Sequence, residues 1–319
     1  MKAFTFKRYG ESTVLNPDTL EKPEPKANEL LVKIHATSVT AGDWRIRSGK
    51  PLPIRFFAGL FKPKNQLLGH EFAGVVEEIG IEVSDFQVGD KVFGSLGMNS
   101  GTYAEYVVVD SGMPIAKIPE GLSFEEAAVV PVGFLSAYYF LQKVNIKPGM
   151  KVLIHGVSGS VGSAILQLAK IKNAHVVGVC SSKNASWVKK WGADQVISYD
   201  REDFTQLTQK FDLIINAVGK TSFREVNHML AGSGKYLAVD AAMTDYLDLF
   251  IQSLSGKNEL IQVGIAEQKR DDLVVIQALL KAKKIKPYLD RVYRFEELPA
   301  AHAYVEMGKK AGNVGIMVA

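Results

Sequence analysis

The chain has a single cysteine, Cys180, among 319 residues. No intrachain disulfide can form, and no cluster of thiolates can hold a structural zinc. Any metal site would have to be built from His and carboxylates. No apolar run reaches the roughly 18 residues of a membrane-spanning helix, so no transmembrane segment is expected. Net charge is also scarce, at +4. The basic residues are dispersed apart from short clusters; that of Lys281, Lys283, Lys284 and Lys286 has the spacing of a solvated helix face, which argues against a nucleic-acid partner. Internal repeats and low-complexity linkers are absent. The first ten residues alternate like a strand and lack the apolar core of a signal peptide, so the expected mature start is near Met1 and the expected location is cytoplasmic.

What is present is an ordinary globular composition, 47% hydrophobic and 23% charged, with length enough for two domains. The most informative stretch is 152–172. A short apolar run, Val152 to Ile154, leads into glycines at 156, 159 and 162. A helix-period pattern follows at once, with Val161, Ala164, Ile165 and Leu168 on one face. Strand, glycine turn and helix form the context of a dinucleotide fingerprint, in which the helix start faces a pyrophosphate. The first glycine stands one place early for the G-x-G-x-x-G spacing. A tight connection with no ligand would also use such glycines. Gly156-Val157-Ser158-Gly159-Ser160 partly fits a second pattern, G-x-S-x-G, which would make Ser158 the nucleophile of a serine hydrolase.

The next strand, Ala174 to Cys180, bears on the cofactor. NAD-binding proteins place an acid about 20 residues past the glycines to hold the ribose 2′-hydroxyl. Here the strand is followed by Ser181, Ser182 and Lys183, and by no acid. Two hydroxyls and a cation suit a 2′-phosphate, which favours NADPH. Asn184 can also start the following helix as its cap.

The first 120 or so residues read as short strands with Pro and Gly turns: 30–35, 74–79, 91–94 and 103–109. Ser123-Phe124-Glu125-Glu126 is a capping box, opening a helix that breaks at Pro131 and resumes through Leu141. From Lys151 the rhythm changes to alternating strands and helices, with strands at 151–155, 175–180, 195–198, 212–216, 235–239 and 259–264. That alternation predicts an α/β fold with a doubly wound parallel sheet. A helix with Leu273, Ile276, Leu279 and Leu280 on one face follows, then a last strand over 314–318. The segments 42–65 and 240–256 read as irregular.

Several motifs occur in order: Gly69-His70-Glu71-Phe72-Ala73-Gly74, Val88-Gly89-Asp90-Lys91-Val92, Tyr103-Ala104-Glu105-Tyr106, Pro148-Gly149-Met150-Lys151-Val152, the Gly156–Gly162 loop and Gly192-Ala193-Asp194-Gln195-Val196. As a set they resemble the medium-chain dehydrogenase/reductase superfamily, and within it the zinc-independent quinone oxidoreductase-like branch. Asn173-Ala174-His175-Val176, Lys189 and Gly192-Ala193-Asp194 are similar to the plant chloroplast-envelope quinone oxidoreductase homologues. The resemblance implies a GroES-like, mostly β catalytic domain over 1–122 and 267–319, and a Rossmann NADP-binding domain over 123–266. It implies NADPH-linked reduction of quinones or α,β-unsaturated carbonyls. A zinc-type alcohol dehydrogenase and a non-catalytic NADPH-binding sensor are the alternatives.

Carried over by position, the resemblance implies a pyrophosphate loop of Ser158, Gly159, Ser160, Val161 and Gly162. It implies 2′-phosphate contacts at Ser181, Ser182, Lys183 and Tyr199, and an adenosine and ribose side at Ala217, Val218 and Gly219. Ser136 stands where the branch usually has Thr, near the nicotinamide. The zinc enzymes share Gly69-His70-Glu71, but their two cysteine ligands fall here on Thr40 and Val132, which cannot replace thiolates. No metal is therefore expected, and His70 is expected to be a structural histidine bonded to backbone or to a carboxylate. The branch's Asn-Pro-x-Asp is Thr40-Ala41-Gly42-Asp43 here. Thr40 and Asp43 are the catalytic candidates, with the proton coming from solvent. Trp44, Phe57 and Met98 are candidates for an apolar substrate pocket, and they equally suit core packing. The resemblance also implies a homodimer, through pairing of the edge strand 259–264.

Overall fold

The computed structural model describes residues 1–241, 243–255, 260–261 and 265–319. They divide into two compact units, Met1–Leu135 with Gln268–Ala319, and Ser136–Glu267. The first division falls inside the helix Pro131–Gln142. The capping box at Ser123 opens a short helix, Phe124–Ala128, which packs on strands Glu29–Ser38 and Glu71–Ile79 of the first unit.

The first unit is built on a mostly antiparallel sheet. Strands 289–294, 313–317, 29–38, 71–79, 91–95 and 115–117 lie side by side, and 106–110 also pairs with 29–38. Period-two alternation explains the core. Leu30, Val32 and Ile34 all point into one cluster, where they meet Phe72, Val76 and Val92. A second cluster joins the two ends of the chain. Phe4 and Phe6 pack with Leu298, Val314 and Ile316, and Gly315 pairs with Ser38. The helix expected after Gln268 forms as Arg270–Lys281, with Leu273, Ile276 and Leu280 buried.

Two stretches that read as irregular are helical. Ala41–Ser48 forms a helix because Thr40 and Asp43 make a capping box at its start and Gly49 ends it in the left-handed region. Its hydrophobic patterning is weak, which hid it. Met243–Ser255 is the second.

The second unit holds a sheet with every described pairing parallel: β1 (Lys151–His155), β2 (His175–Cys180), β3 (Gln195–Ser198), β4 (Phe211–Asn216), β5 (Leu230–Ala238) and β6 (Leu260–Ile261). Their order is β3-β2-β1-β4-β5-β6. Strands β1, β2 and β4 are buried almost throughout, which is why they read as continuous apolar runs. Helix α1 (Ser160–Ile171) buries Gly162 through Ala169. The strand expected over 259–264 is described only at 260–261, where it is the last strand of the sheet; 259 and 262–264 lie outside the described residues. Among the described residues no helix is long and apolar enough to cross a membrane.

Candidate functional site

In the second unit the strand order reverses between β1 and β4. The chain winds outward one way through β2 and β3, and the other way through β5 and β6. Ligands of open parallel sheets bind outside the carboxyl ends of the strands at such a switch point. Two loops emerge there, the glycine turn after β1 and Ala217-Val218-Gly219 after β4.

The glycine turn is shaped by its neighbours. Gly156 has φ +80°, and a Cβ on it would lie 2.9 Å from the Val218 side chain. A Cβ on Gly162 would come within 2.1 Å of the Gly156 carbonyl oxygen. Both positions require glycine for the fold itself. Gly159 differs: its φ is −84°, and a Cβ would meet only the Gly156 carbonyl, at 3.4 Å. Among the described residues nothing demands a bare backbone there, so the room it leaves suits a ligand. Gly159 caps α1, and the N–H groups of Ser160, Val161 and Gly162 have no acceptor inside the helix. Ser158, Gly159, Ser160 and Val161 are half-buried, so the loop is a surface and not core. Oriented donors at the positive end of a helix fit a pyrophosphate.

The loop after β4 is held against this turn. Ala217 N–H donates to the His155 carbonyl at 3.0 Å. The side-chain oxygen of Asn216 accepts from the N–H of Val218 (3.3 Å) and Gly219 (3.1 Å). Its amide nitrogen donates to the Thr221 carbonyl at 2.5 Å. The structure thus brings the glycine turn and the loop after β4 together, with Gly156 against Val218.

At the end of β2, Ser181 and Ser182 are half-buried and Lys183 is exposed. Tyr199, at the end of β3, is 54% exposed, and its N–H donates to the Cys180 carbonyl. Ser182 gives its N–H (2.8 Å) and its hydroxyl (2.7 Å) to the carboxylate of Asp200. No acid stands in the 181–184 loop after β2; the structure supplies one from the end of β3. Ser136 is half-buried on the helix Pro131–Gln142.

The hydrolase alternative finds no support. The hydroxyl of Ser158 accepts from the Asn184 side-chain amide at 3.1 Å, and none of its described bonds runs to a histidine. His155 is bonded to Thr221 at 2.9 Å, and burial pushes its pKa down to about 4.

The first unit gathers the other candidates around a wholly buried carboxylate, Asp43. Its Oδ2 accepts from the Thr40 N–H (2.7 Å) and the Thr40 hydroxyl (2.6 Å). Its Oδ1 accepts from the Gly69 N–H (3.1 Å) and from His70 Nδ1 (2.6 Å). Burial pushes this carboxyl up, but the adjoining His70 charge and the hydrogen bonds hold it below the ordinary carboxylate value. Burial pushes His70 down, and Asp43 more than compensates, so the imidazole lies above its usual value. Glu71 is buried beside them. It accepts from the Ser38 hydroxyl and, at 2.7 Å, from the Val132 N–H, and burial pushes its pKa up to about 7.

These contacts bear on zinc. Val132 offers only a backbone N–H, already given to Glu71. The Thr40 hydroxyl is committed to Asp43, so neither position that would carry a thiolate offers a ligand, whereas His70, bonded to Asp43 through Nδ1, keeps Nε2 open. Among the described residues no group of three or more His, Cys, Asp or Glu could hold a metal ion. The donor set does not fit the ion.

Of the pocket candidates, Trp44 is half-buried and packs on the core cluster that holds Phe4 and Phe6. Phe57 is 78% exposed and Met98 68% exposed.

Residues 26–120 match the alcohol dehydrogenase GroES-like domain family, and residues 191–314 match the zinc-binding dehydrogenase family. The chain is 30% identical to a chloroplastic quinone-oxidoreductase homologue of Spinacia oleracea, over 98% of this chain and 97% of that protein. It is 29% identical to a 2-methylene-furan-3-one reductase of Solanum lycopersicum, over 99% of this chain and 79% of the relative. Escherichia coli quinone oxidoreductase, solved in complex with NADPH, superposes with a TM-score of 0.85 at 25% identity, with 100% of both chains covered.

Proposed function

This chain belongs to the medium-chain dehydrogenase/reductase superfamily, and from that premise we propose that it is an NADPH-dependent, zinc-independent reductase of quinones or α,β-unsaturated carbonyls. The observation that carries the reading is the open glycine turn and helix start at the switch point of the parallel sheet. Relatives named as a quinone oxidoreductase homologue and as a methylene-furanone reductase support the substrate class.

Ser158, Gly159, Ser160, Val161 and Gly162 would hold the pyrophosphate through backbone donors. Ala217, Val218 and Gly219 would line the adenosine and ribose side, and Ser136 would lie near the nicotinamide. Ser181, Ser182, Lys183 and Tyr199 would take the 2′-phosphate, which favours NADPH over NADH. When bound, the nicotinamide supplies a hydride to an electrophilic carbon of the substrate.

The remaining work falls to the chain. Negative charge develops on the substrate oxygen and needs a hydrogen-bond donor in a dry site. Thr40 reaches that role only by turning its hydroxyl away from Asp43. Asp43 is therefore a positioning residue, which fixes the start of its helix and the His70 ring. The proton that completes the reduction comes from solvent. Trp44, Phe57 and Met98 are proposed to contact the apolar substrate. The assembly is proposed to be a homodimer through the edge strand β6.

A panel of para-quinones, enals and enones tests the reading. NADPH oxidation dependent on one of these classes supports it. NADPH binding with no turnover across the panel would favour a sensor, and turnover only of simple alcohols and aldehydes would favour a zinc-type alcohol dehydrogenase.

A further inference from the structure

Ser182 spends both of its donors on one carboxylate. The backbone N–H lies 2.8 Å from Asp200 Oδ1, and the hydroxyl lies 2.7 Å from Asp200 Oδ2. This two-point grip is how a carboxylate or a phosphate is recognised. It sits at the end of β2, where the adenosine ribose of a dinucleotide is read in parallel folds of this kind. Asp200 is exposed, and it lines a shallow surface concavity together with Tyr199, Arg201 and Phe204. The hydrogen bonds from Ser182 hold its carboxyl below the ordinary value, so it is an anion at neutral pH.

A ribose 2′-phosphate is also an anion, with acceptor oxygens and no donor to offer a carboxylate. It needs the same N–H and O–H that Asp200 occupies. A ribose 2′-hydroxyl makes no such demand. It can donate to Asp200, whose oxygens keep free lone pairs after accepting one bond each. Lys183 and Arg201, which flank the pair in sequence, pull the other way, toward a phosphate.

We propose that Asp200 is the specificity-determining residue of the cofactor site: its carboxylate competes with the 2′-phosphate of NADPH for Ser182 and accepts from the 2′-hydroxyl of NADH. The preference for NADPH set by Lys183 is thereby kept small, and the protein binds both cofactors. This rests on the reading that the second unit binds a nicotinamide dinucleotide.

Fluorescence or calorimetric titration of the full chain with NADPH, NADH, 2′,5′-ADP and 5′-AMP tests it without any turnover. Asp200→Asn should tighten NADPH and 2′,5′-ADP by about tenfold or more, as one like charge leaves and the amide, with a single acceptor oxygen, releases one of the Ser182 donors. The same change should weaken NADH and 5′-AMP severalfold, since both present a free 2′-hydroxyl to Asp200. Ser182→Ala should shrink the gain in a double variant. Wild-type binding of both cofactors with an NADPH-to-NADH ratio that Asp200→Asn moves less than about twofold would overturn the proposal and leave the dinucleotide reading standing. Failure of the wild type to bind either cofactor would overturn both.

Discussion

Asp43 Oδ1 and His70 Nδ1 lie 2.6 Å apart, with the carboxylate wholly buried and the imidazole side chain 11% exposed. A buried charge is tolerable only when paired and hydrogen-bonded. Asp43 is both, since it also ties down Thr40 and the Gly69 backbone. Asp43→Asn should therefore strand His70 and loosen the helix start together. The expected loss is about 3–5 kcal/mol in urea unfolding. A loss under about 1 kcal/mol would show that the pair is only incidental.

The same pair has a pH signature with two limits. Asp43 is held below its free value of 3.8, so its contribution is present above that pH and is lost as pH falls through the lower folded value. His70 is held above 6.5, so its contribution is complete below that pH and is lost as pH rises through the higher folded value.

Glu71 acts in the opposite sense to Asp43. Its folded value of about 7 lies above its free value of 4.5, so the folded chain keeps a proton that the unfolded chain releases. Stability should fall as pH rises from 4.5 to about 7, by roughly 3 kcal/mol, and then level off. Glu71→Gln should remove this fall. An unchanged stability profile in the variant would refute the assignment.

Much of this was legible in the sequence, for identifiable reasons. The parallel strands were visible because burial on both faces makes them continuously apolar, as in Val152–Ile154 and Val176–Cys180. The glycine turn was visible because Gly156 and Gly162 answer to steric demands that no other residue meets. The helix Ala41–Ser48 was missed because its apolar face is poor, although its capping box at Thr40 and Asp43 was a readable signal. Asp200 was missed because it reaches Ser182 from the neighbouring strand. A search at fixed spacing from the glycines looks along one loop, and register between strands is a tertiary fact.

Gly159 and Gly162 should separate under the same substitution. Gly162→Ala drives a Cβ into the Gly156 carbonyl and should lower the melting temperature by several degrees. Gly159→Ala meets no such obstacle and should melt near the wild type, yet lose about tenfold or more in NADPH affinity, because the lost room belongs to the ligand. Equal effects on stability and binding in both variants would contradict a pyrophosphate role for this turn.

Lys183→Ala should weaken NADPH by about tenfold and NADH by far less, because only the phosphate makes a charge-assisted bond with the ammonium. Titration with both cofactors checks it, and parallel losses would remove Lys183 from the 2′-phosphate site.

Strand β6 ends its sheet, pairing with β5 through Leu260 and Ile261. A strand at the end of a sheet offers unpaired backbone groups to a second copy, and the proposed dimer pairs there. Light scattering at micromolar concentration should give a dimer mass, and Ile261→Pro should give a monomer by removing a ladder N–H. A monomer mass for the wild type would refute the dimer.

The proposed reaction is metal-free reduction driven by NADPH. The direct measurement is NADPH oxidation by a para-quinone or an enone, using protein stripped with a chelator and assayed with the chelator present. Stripped protein should turn over at the untreated rate, with one NADPH consumed per substrate reduced. Loss of turnover on stripping, restored by added zinc, would contradict it.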